Sequence, residues 1–317
     1  DALAQRIGAR GGRLKLLIMA ELIALWPVIA MWGHPEDVMA LGLGVFAMLA
    51  VSNHRTTLAG WLLGLAIAMQ LFVVLLVPIF LGVTGIRVGR ALLARACVIP
   101  GTLLIVVMVP DFNDAVWTLA NQPAYPTVLH PTPWIHLAPH ITRIEVSNGP
   151  VHLLPLGIAA GIGVLAHRNR GNWAYLFWLA AVAMGVRCLF EAVMAPYYVM
   201  PAVAIAFAVA ATQSRVRFLF TVATGIGLTV MTFSHSGEWT YWSEVVALLG
   251  TMFLLSRPTG NPAIVRGVSH SHNDVFGSAI STPITAKSSP ATESSSTAGT
   301  TRDLSHIDAR TDLFPGS

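Results

Sequence analysis

Charged residues are scarce in this 317-residue sequence: Asp, Glu, Lys and Arg together make up only 11% of it. Soluble domains carry about 25% charged residues, so an ordinary soluble enzyme or binding module is excluded. Hydrophobic residues account for 55% of the chain, and its mean hydropathy is +0.66. The composition therefore predicts a polytopic membrane protein.

Cysteine is also rare. The chain has two cysteines, Cys97 and Cys188, in apolar runs that we expect near opposite sides of a membrane. A disulfide between them is not predicted, because bridged Cα atoms lie within about 7 Å of each other. The formal charge of +4 does not indicate a nucleic-acid partner, because the basic residues are spread over short loops between apolar runs.

The apolar residues form about ten segments, compared with the roughly 20 residues that a helix needs to cross a bilayer core. They lie at 14–32, 38–52, 58–70, 71–85, 93–110, 150–166, 173–187, 197–213, 218–234 and 241–256. We therefore predict an all-α fold, a polytopic bundle of membrane helices over residues 1–256, including short bent hairpins. We expect the natural N-terminus to lie upstream, because the chain opens with Asp1 rather than Met. Residues 257–317 are rich in Ser, Thr, Gly and Pro, which predicts a disordered cytoplasmic tail.

Basic residues predict the orientation, because Lys and Arg are retained in short cytoplasmic loops. If the segments alternate, all 19 basic residues except Arg143 and Arg187 fall on one side, which we assign to the cytoplasm. Glu36, Asp37, Glu191 and several other acids map to the opposite side. The pattern predicts a multi-pass protein of the cytoplasmic (plasma) membrane whose functional site faces outside.

Two regions are expected to border that outer face. Between Arg55 and Arg87 the chain is too short for two straight crossings, yet both flanks are basic. We therefore predict a short bent helical hairpin with Gln70 near its tip, lining a cavity. Residues 111–149 form a long outer loop rich in Pro, His and Trp, and loops of this length are typically functional.

The stretch GHPED at 33–37 places His34 and two carboxylates where the membrane edge is expected. One interpretation is structural, because Pro35 suits the first position of a helix and acids in the first turn complement the helix dipole. The other is functional, because ionisable groups at a bilayer edge are costly. On the functional interpretation Asp37 is a general base, with Glu36 and His34 as its catalytic neighbours.

Arg187 and Glu191 lie four residues apart at the outer end of a predicted segment. They are either an i,i+4 ion pair that neutralises its own charge or part of a site in which Arg187 binds a phosphate. Tyr197 and Tyr198 follow a proline at a predicted turn, and each is either an interfacial anchor or a substrate contact. Gln70 is a further candidate for substrate binding.

The outer loop contains His130, His136 and His140, but prolines interrupt any regular helix there and no cysteine completes a set of ligands, so no metal site is predicted. His130 and Trp134 are instead predicted to contact a sugar or a lipid headgroup. The small-residue stretch GIAAGIG at 157–163 predicts close helix packing rather than chemistry.

Three stretches of the sequence resemble one known protein family. GHPEDVMALGLGVFAMLAVSNHRTTLAGWLLGLAIAMQLFVVLLVPIFL resembles the multi-span, polyprenyl-phosphate-sugar-dependent glycosyltransferases of the GT-C class, particularly their actinobacterial mannosyltransferase-like branch. QPAYPTVLHPTPW and FEAVMAPYYVMPAVAIA resemble segments of actinobacterial membrane proteins related to that branch. The similarity covers about residues 32–86 and 122–210.

The resemblance implies inverting transfer at the outer face, from a polyprenyl-phosphate-linked sugar, with mannose suggested by the branch, to a glycan or glycolipid acceptor. The lipid-linked sugar is the donor substrate and no cofactor is assigned, and the resemblance also implies an acid that deprotonates the acceptor. The family's catalytic acid lies in the first outer loop after the first span, so Asp37 is either the base or a supporting residue. A transporter or flippase of a lipid-linked or small amphipathic substrate, and a membrane scaffold, remain the alternatives.

Overall fold

The computed structural model describes residues 2–9, 11–121, 130–138, 146, 150–234 and 236–259. Most of them lie in helices, which confirms the all-α prediction. The helices are α1 (Ala2–Arg6), α2 (Gly12–Trp32), α3 (Pro35–Ser52), α4 (Thr56–Met69), α5 (Val77–Thr84), α6 (Ile86–Ala96), α7 (Val98–Met108), α8 (Phe112–Asn121), α9 (Leu154–Arg168), α10 (Trp173–Phe190), α11 (Met200–Ala210), α12 (Arg215–Met231) and α13 (Glu238–Ser256). Short 3-10 helices cover Leu71–Leu76, Pro133–Leu137, Pro150–Leu153 and Pro196–Val199. Two short strands, β1 (His130–Pro131) and β2 (Val193–Met194), pair antiparallel.

Each of the ten predicted segments coincides with a helical stretch. Four helices are long and apolar enough to cross a membrane, and they are Gly12–Trp32, Pro35–Ser52, Ile86–Met108 and Trp173–Phe190. The predicted tail lies outside the described residues from residue 260 onward, as do residues 122–129, 139–145 and 147–149 of the predicted outer loop.

Exposed apolar surface indicates what surrounds the bundle. No residue of α7 is buried, although this helix is composed almost wholly of apolar residues. On α2 large side chains such as Met19, Ile23 and Trp26 are exposed. Monomeric soluble proteins rarely expose apolar patches of this extent, so these faces indicate a membrane protein. The buried core lies instead around α10 and α11, which pack against each other.

Backbone breaks fall where the sequence predicts them. Gly33 ends α2 with a positive φ of 64°, a conformation that glycine adopts without steric cost, and Pro35 begins α3 immediately afterwards. Gln70 ends α4 in an extended conformation, and the 3-10 helix that follows leads into α5. The predicted bend at Gln70 is therefore present.

Glycines set the close approach and the relative direction of the helices. A Cβ at Gly60 would lie 2.8 Å from the carbonyl oxygen of Leu92, and one at Gly64 would lie 2.6 Å from that of Ala96. Moving four residues along α4 moves the contact four residues along α6 in the same direction, so α4 and α6 run parallel. The chain between them must therefore return across the bundle, and α5 is that returning segment.

Charges separate to opposite ends of the helices. We call the end where α3 begins and α10 ends the acidic end, and the end where α3 ends and α12 begins the basic end. At the basic end arginine side chains donate to backbone carbonyl oxygens near helix C-termini: Arg6 to Ser52 at 3.2 Å, Arg13 to Gln213 at 2.6 Å, Arg170 to Gly82 at 2.7 Å and Arg217 to Arg257 at 2.8 Å. These bonds pair carbonyls that have no partner within their own helix and place positive charge at the negative end of the helix dipole.

Gly163 tests the predicted packing of the GIAAGIG stretch. A Cβ there would lie 2.6 Å from the carbonyl oxygen of Pro78, whereas a Cβ at Gly161 would meet nothing within 4 Å. We expect Gly163→Ala to lower the free energy of unfolding by about 1–3 kcal/mol through overpacking of α9 against α5. Thermal unfolding in detergent measures the effect. Gly161→Ala, on the same helix, is the control and should be neutral or stabilising; equal losses in both variants would contradict the packing account.

Candidate functional site

Asp37 is buried at the acidic end, with 4% of the residue exposed. It lies in the first turn of α3, as the structural interpretation predicts, and its backbone N–H donates to the carbonyl oxygen of His34 at 3.3 Å. Arg187 attracts the Asp37 carboxylate at longer range, since no ion pair within 4.0 Å joins the two, and Glu36 repels it. A first-turn acid also complements the helix dipole when it is exposed, so the helix start does not require the burial.

Arg187 forms the ion pair that the sequence suggested. Its Nε donates to Oε1 of Glu191 at 2.8 Å, and the side chains are 23% and 8% exposed respectively. The guanidinium also lies over the ring of Tyr198, 3.9 Å from the centroid, and 5.5 Å from the centroid of Phe72. Such contacts favour a cation over an aromatic face.

The ion pair leaves hydrogen-bonding atoms of both Arg187 and Glu191 without a partner among the described residues. Glu191 Oε2 is buried and has no hydrogen-bond partner among the described residues. Over the same residues, the Arg187 hydrogen bond uses Nε, which leaves both Nη groups without an acceptor. A buried polar atom is normally hydrogen-bonded, so the unpaired Oε2 is an acceptor for a further polar group, and the Nη groups of the 23%-exposed Arg187 side chain are donors for one.

Aromatic rings lie next to these charges. The Tyr197 ring lies 4.3 Å from the His34 ring and 6.1 Å from the Trp32 ring, measured between centroids, and it meets Tyr198 edge-on at 5.0 Å. His34 Nδ1 lies 2.7 Å from Oε1 of Glu36. We call Asp37, Arg187, Glu191, Tyr197 and Tyr198 the Asp37–Arg187 site.

The end of α10 is fixed by indole groups from two other parts of the chain. Trp134 Nε1 and Trp242 Nε1 both donate to the carbonyl oxygen of Leu189, at 2.6 and 2.9 Å. Thr132 Oγ1 donates to the carbonyl oxygen of Glu191, and its backbone N–H donates to that of Ala192 at 3.0 Å. The loop residues around β1 therefore hold the backbone that carries Glu191.

Other predicted residues lie beside the Asp37–Arg187 site rather than in it. The His130 ring stacks on Tyr241 with centroids 4.5 Å apart, and His136 pairs with Glu238 at 3.0 Å. Gln70 lies two residues before Phe72, and its side chain has no hydrogen bond to the described residues. His140 and Arg143 lie outside the described residues.

Sequence reasoning missed residues that contact the site across the bundle. Phe72 carries no signal beyond its place next to the predicted hairpin tip, and Thr132 and Trp242 read as ordinary loop and interface residues.

Within the described parts of the chain, no three His, Cys, Asp or Glu side chains group as metal ligands. Comparison of the chain with protein-family models, curated proteins and solved structures finds no match.

A double-mutant cycle on Arg187 and Glu191 measures their coupling. Arg187→Gln leaves a buried carboxylate without its cation, and we expect it to lower the free energy of unfolding by about 3 kcal/mol. In Arg187→Gln/Glu191→Gln the free energy of unfolding should fall by less than the sum of its decreases in the two single variants, because the double variant has no unpaired charge. Chemical or thermal unfolding in detergent gives both numbers.

The control for this cycle is Glu238→Gln, which removes the pair with His136. That histidine side chain is 69% exposed, so the loss should stay within about 1 kcal/mol. Additive losses in the Arg187 and Glu191 variants would contradict a buried, coupled pair.

Proposed function

We propose that the protein is an integral membrane glycosyltransferase that moves a sugar from a polyprenyl-phosphate donor to an acceptor hydroxyl. The burial of Asp37 within electrostatic range of Arg187 is the observation that carries this proposal. A carboxylate removed from water costs free energy, and the helix start does not require it. A buried carboxylate next to a guanidinium with free Nη groups suits a reaction that moves a proton and releases a phosphate.

The proposed chemistry assigns one role to each charged group. Asp37 accepts the proton of the acceptor hydroxyl while its oxygen attacks the anomeric carbon of the sugar. The bond between that carbon and the phosphate oxygen breaks with inversion, and the polyprenyl phosphate leaves with the electron pair. Arg187 donates through its Nη groups to the phosphate, because its Nε is already bonded to Glu191.

The surrounding residues position these groups in the proposed site. His34 and Glu36 pair with each other at 2.7 Å and flank Asp37 in sequence. Tyr197 offers a ring face beside His34, which suits stacking against a sugar. Trp134 has its indole N–H bonded to Leu189, so it contributes its ring to a sugar or acceptor contact. His130 and Gln70 stay proposed contacts at the edge of the site.

The proposal includes a membrane orientation. The ten apolar segments cross or enter the cytoplasmic (plasma) membrane, with the basic end and the C-terminal tail in the cytoplasm and the Asp37–Arg187 site outside. Support comes from the separation of arginines and carboxylates to opposite ends of the bundle. The partners are then membrane lipid, the lipid-linked sugar donor and a glycan or glycolipid acceptor.

Sugar transfer tests the role of Asp37. The protein is reconstituted in proteoliposomes with radiolabelled polyprenyl-phosphate mannose and a panel of other polyprenyl-phosphate sugars. We expect Asp37→Asn to lower turnover by about 10²–10⁴-fold, because the variant keeps the shape and loses the base. Donor binding should be retained.

The matched control is Glu244→Gln, which neutralises an exposed acid on α13 away from the site. It should transfer sugar like the unaltered protein. Full turnover by Asp37→Asn would remove this residue from the mechanism, and absence of transfer from every donor would reject the glycosyltransferase proposal.

One observation favours a transporter or flippase as the second candidate. Phe72 and Tyr198, whose rings contact Arg187, both lie in 3-10 helices that follow an extended break in the chain. Transporters often build a substrate site where two interrupted helices meet. Movement of labelled lipid-linked sugar across the proteoliposome membrane without transfer to an acceptor would favour this candidate.

A further inference from the structure

A cavity lies at the basic end, away from the Asp37–Arg187 site. It has a volume of about 350 Å³ and is lined by Gly12, Arg13 and Leu16 of α2 and by Arg215 of α12. Its wall therefore combines two arginine residues with apolar surface.

The two arginines have no carboxylate partner among the described residues, where the ion pairs His34–Glu36, His136–Glu238 and Arg187–Glu191 all lie at the acidic end. Arg13 donates through Nη1 to the carbonyl oxygen of Gln213 at 2.6 Å, which holds the side chain in place beside the cavity. Arg215 is exposed and has no side-chain hydrogen bond to the described residues. The cavity therefore has uncompensated positive charge.

The beginning of α12 adds to this charge. Arg215 is the first residue of that 17-residue helix, and Ser214 Oγ accepts the backbone N–H of Arg217 at 3.3 Å. The N–H groups at the start of a helix carry a partial positive charge and favour anions.

Apolar side chains continue from the cavity along both helices. Leu16 lines the cavity and Ile23 lies two turns further along α2, and they are 51% and 56% exposed. On α12, Leu219 lies one turn after Arg215 and is 56% exposed. An anionic group in the cavity would thus lie next to exposed apolar side chains of both helices.

We propose that this cavity binds an anionic glycerophospholipid. The lipid phosphate contacts Arg13 and Arg215, and an acyl chain lies along the exposed apolar faces of α2 and α12. Basic pockets between membrane helices are suited to such headgroups. The proposal concerns a different end of the bundle from the proposed catalytic site and does not depend on glycosyl transfer.

Lipid binding to the full chain in mild detergent, followed by native mass spectrometry, tests the proposal. The probes are dioleoylphosphatidylglycerol, dioleoylphosphatidylcholine and inorganic phosphate. We expect the anionic lipid to bind more tightly than the zwitterionic one. Each arginine should contribute about fivefold to the affinity for the anionic lipid. That affinity should therefore fall about fivefold in Arg215→Gln and about 30-fold in Arg13→Gln/Arg215→Gln.

The control is Arg87→Gln/Arg90→Gln, which removes the same charge from exposed positions on α6 and should bind the anionic lipid like the unaltered protein. Arg215→Gln by itself keeps the test decisive if loss of the Arg13 bond to Gln213 prevents folding. Unchanged binding in Arg215→Gln, an equal loss in the control, or equal affinity for both lipids would overturn the proposal. Complete displacement of the lipid by millimolar phosphate would also overturn it, because the site would then bind free phosphate rather than lipid.

Discussion

The pairing of Arg187 with Glu191 is the constraint on which the acidic end depends. Glu191 lies just beyond the last residue of α10 and has extended backbone angles, φ −75° and ψ 139°. Residues four apart also meet within a regular helix, and the Glu191 carboxylate reaches the guanidinium from the first position beyond α10 as well. A buried cation without this partner would be strongly destabilising, so the acidic end depends on this ion pair.

That helix end creates a second requirement, because its last carbonyl groups have no partner within the helix. Two tryptophans, Trp134 and Trp242, donate their indole N–H groups to Leu189, and Thr132 donates to the carbonyl oxygen of Glu191. These donors come from a loop and from α13, far away in sequence. Satisfying the backbone of one helix therefore fixes the loop against the bundle and leaves Glu191 in a single position.

Patterns among neighbouring residues predict most of the helices, but they do not predict contacts between residues that are far apart in the sequence. Each predicted apolar run coincides with a helical stretch, and GHPED marks the start of α3, because both follow from neighbouring residues; α1 and α8 lie outside the predicted runs. Gln70 was recognised as a bend from chain length between basic flanks. The approach of Phe72 to Arg187, and of two indoles to Leu189, depends on how separate helices pack. No residue spacing in the sequence indicates this packing. The sequence therefore predicts the individual site residues but not their contacts with one another.

The charges of the site constrain the proposed reaction. The Arg187 guanidinium pairs with Glu191 and attracts Asp37 at longer range, so the site carries a net negative charge when both carboxylates are ionised. A donor phosphate in the ground state is then poorly compensated. As the reaction proceeds, Asp37 takes a proton and loses its charge while the leaving phosphate gains one. Arg187 is thereby released from one carboxylate at the moment when the phosphate needs it, so its stabilisation is greater in the transition state than in the bound donor. Interactions of this kind accelerate a chemical step, and they give a buried acid beside a partly neutralised arginine a catalytic use.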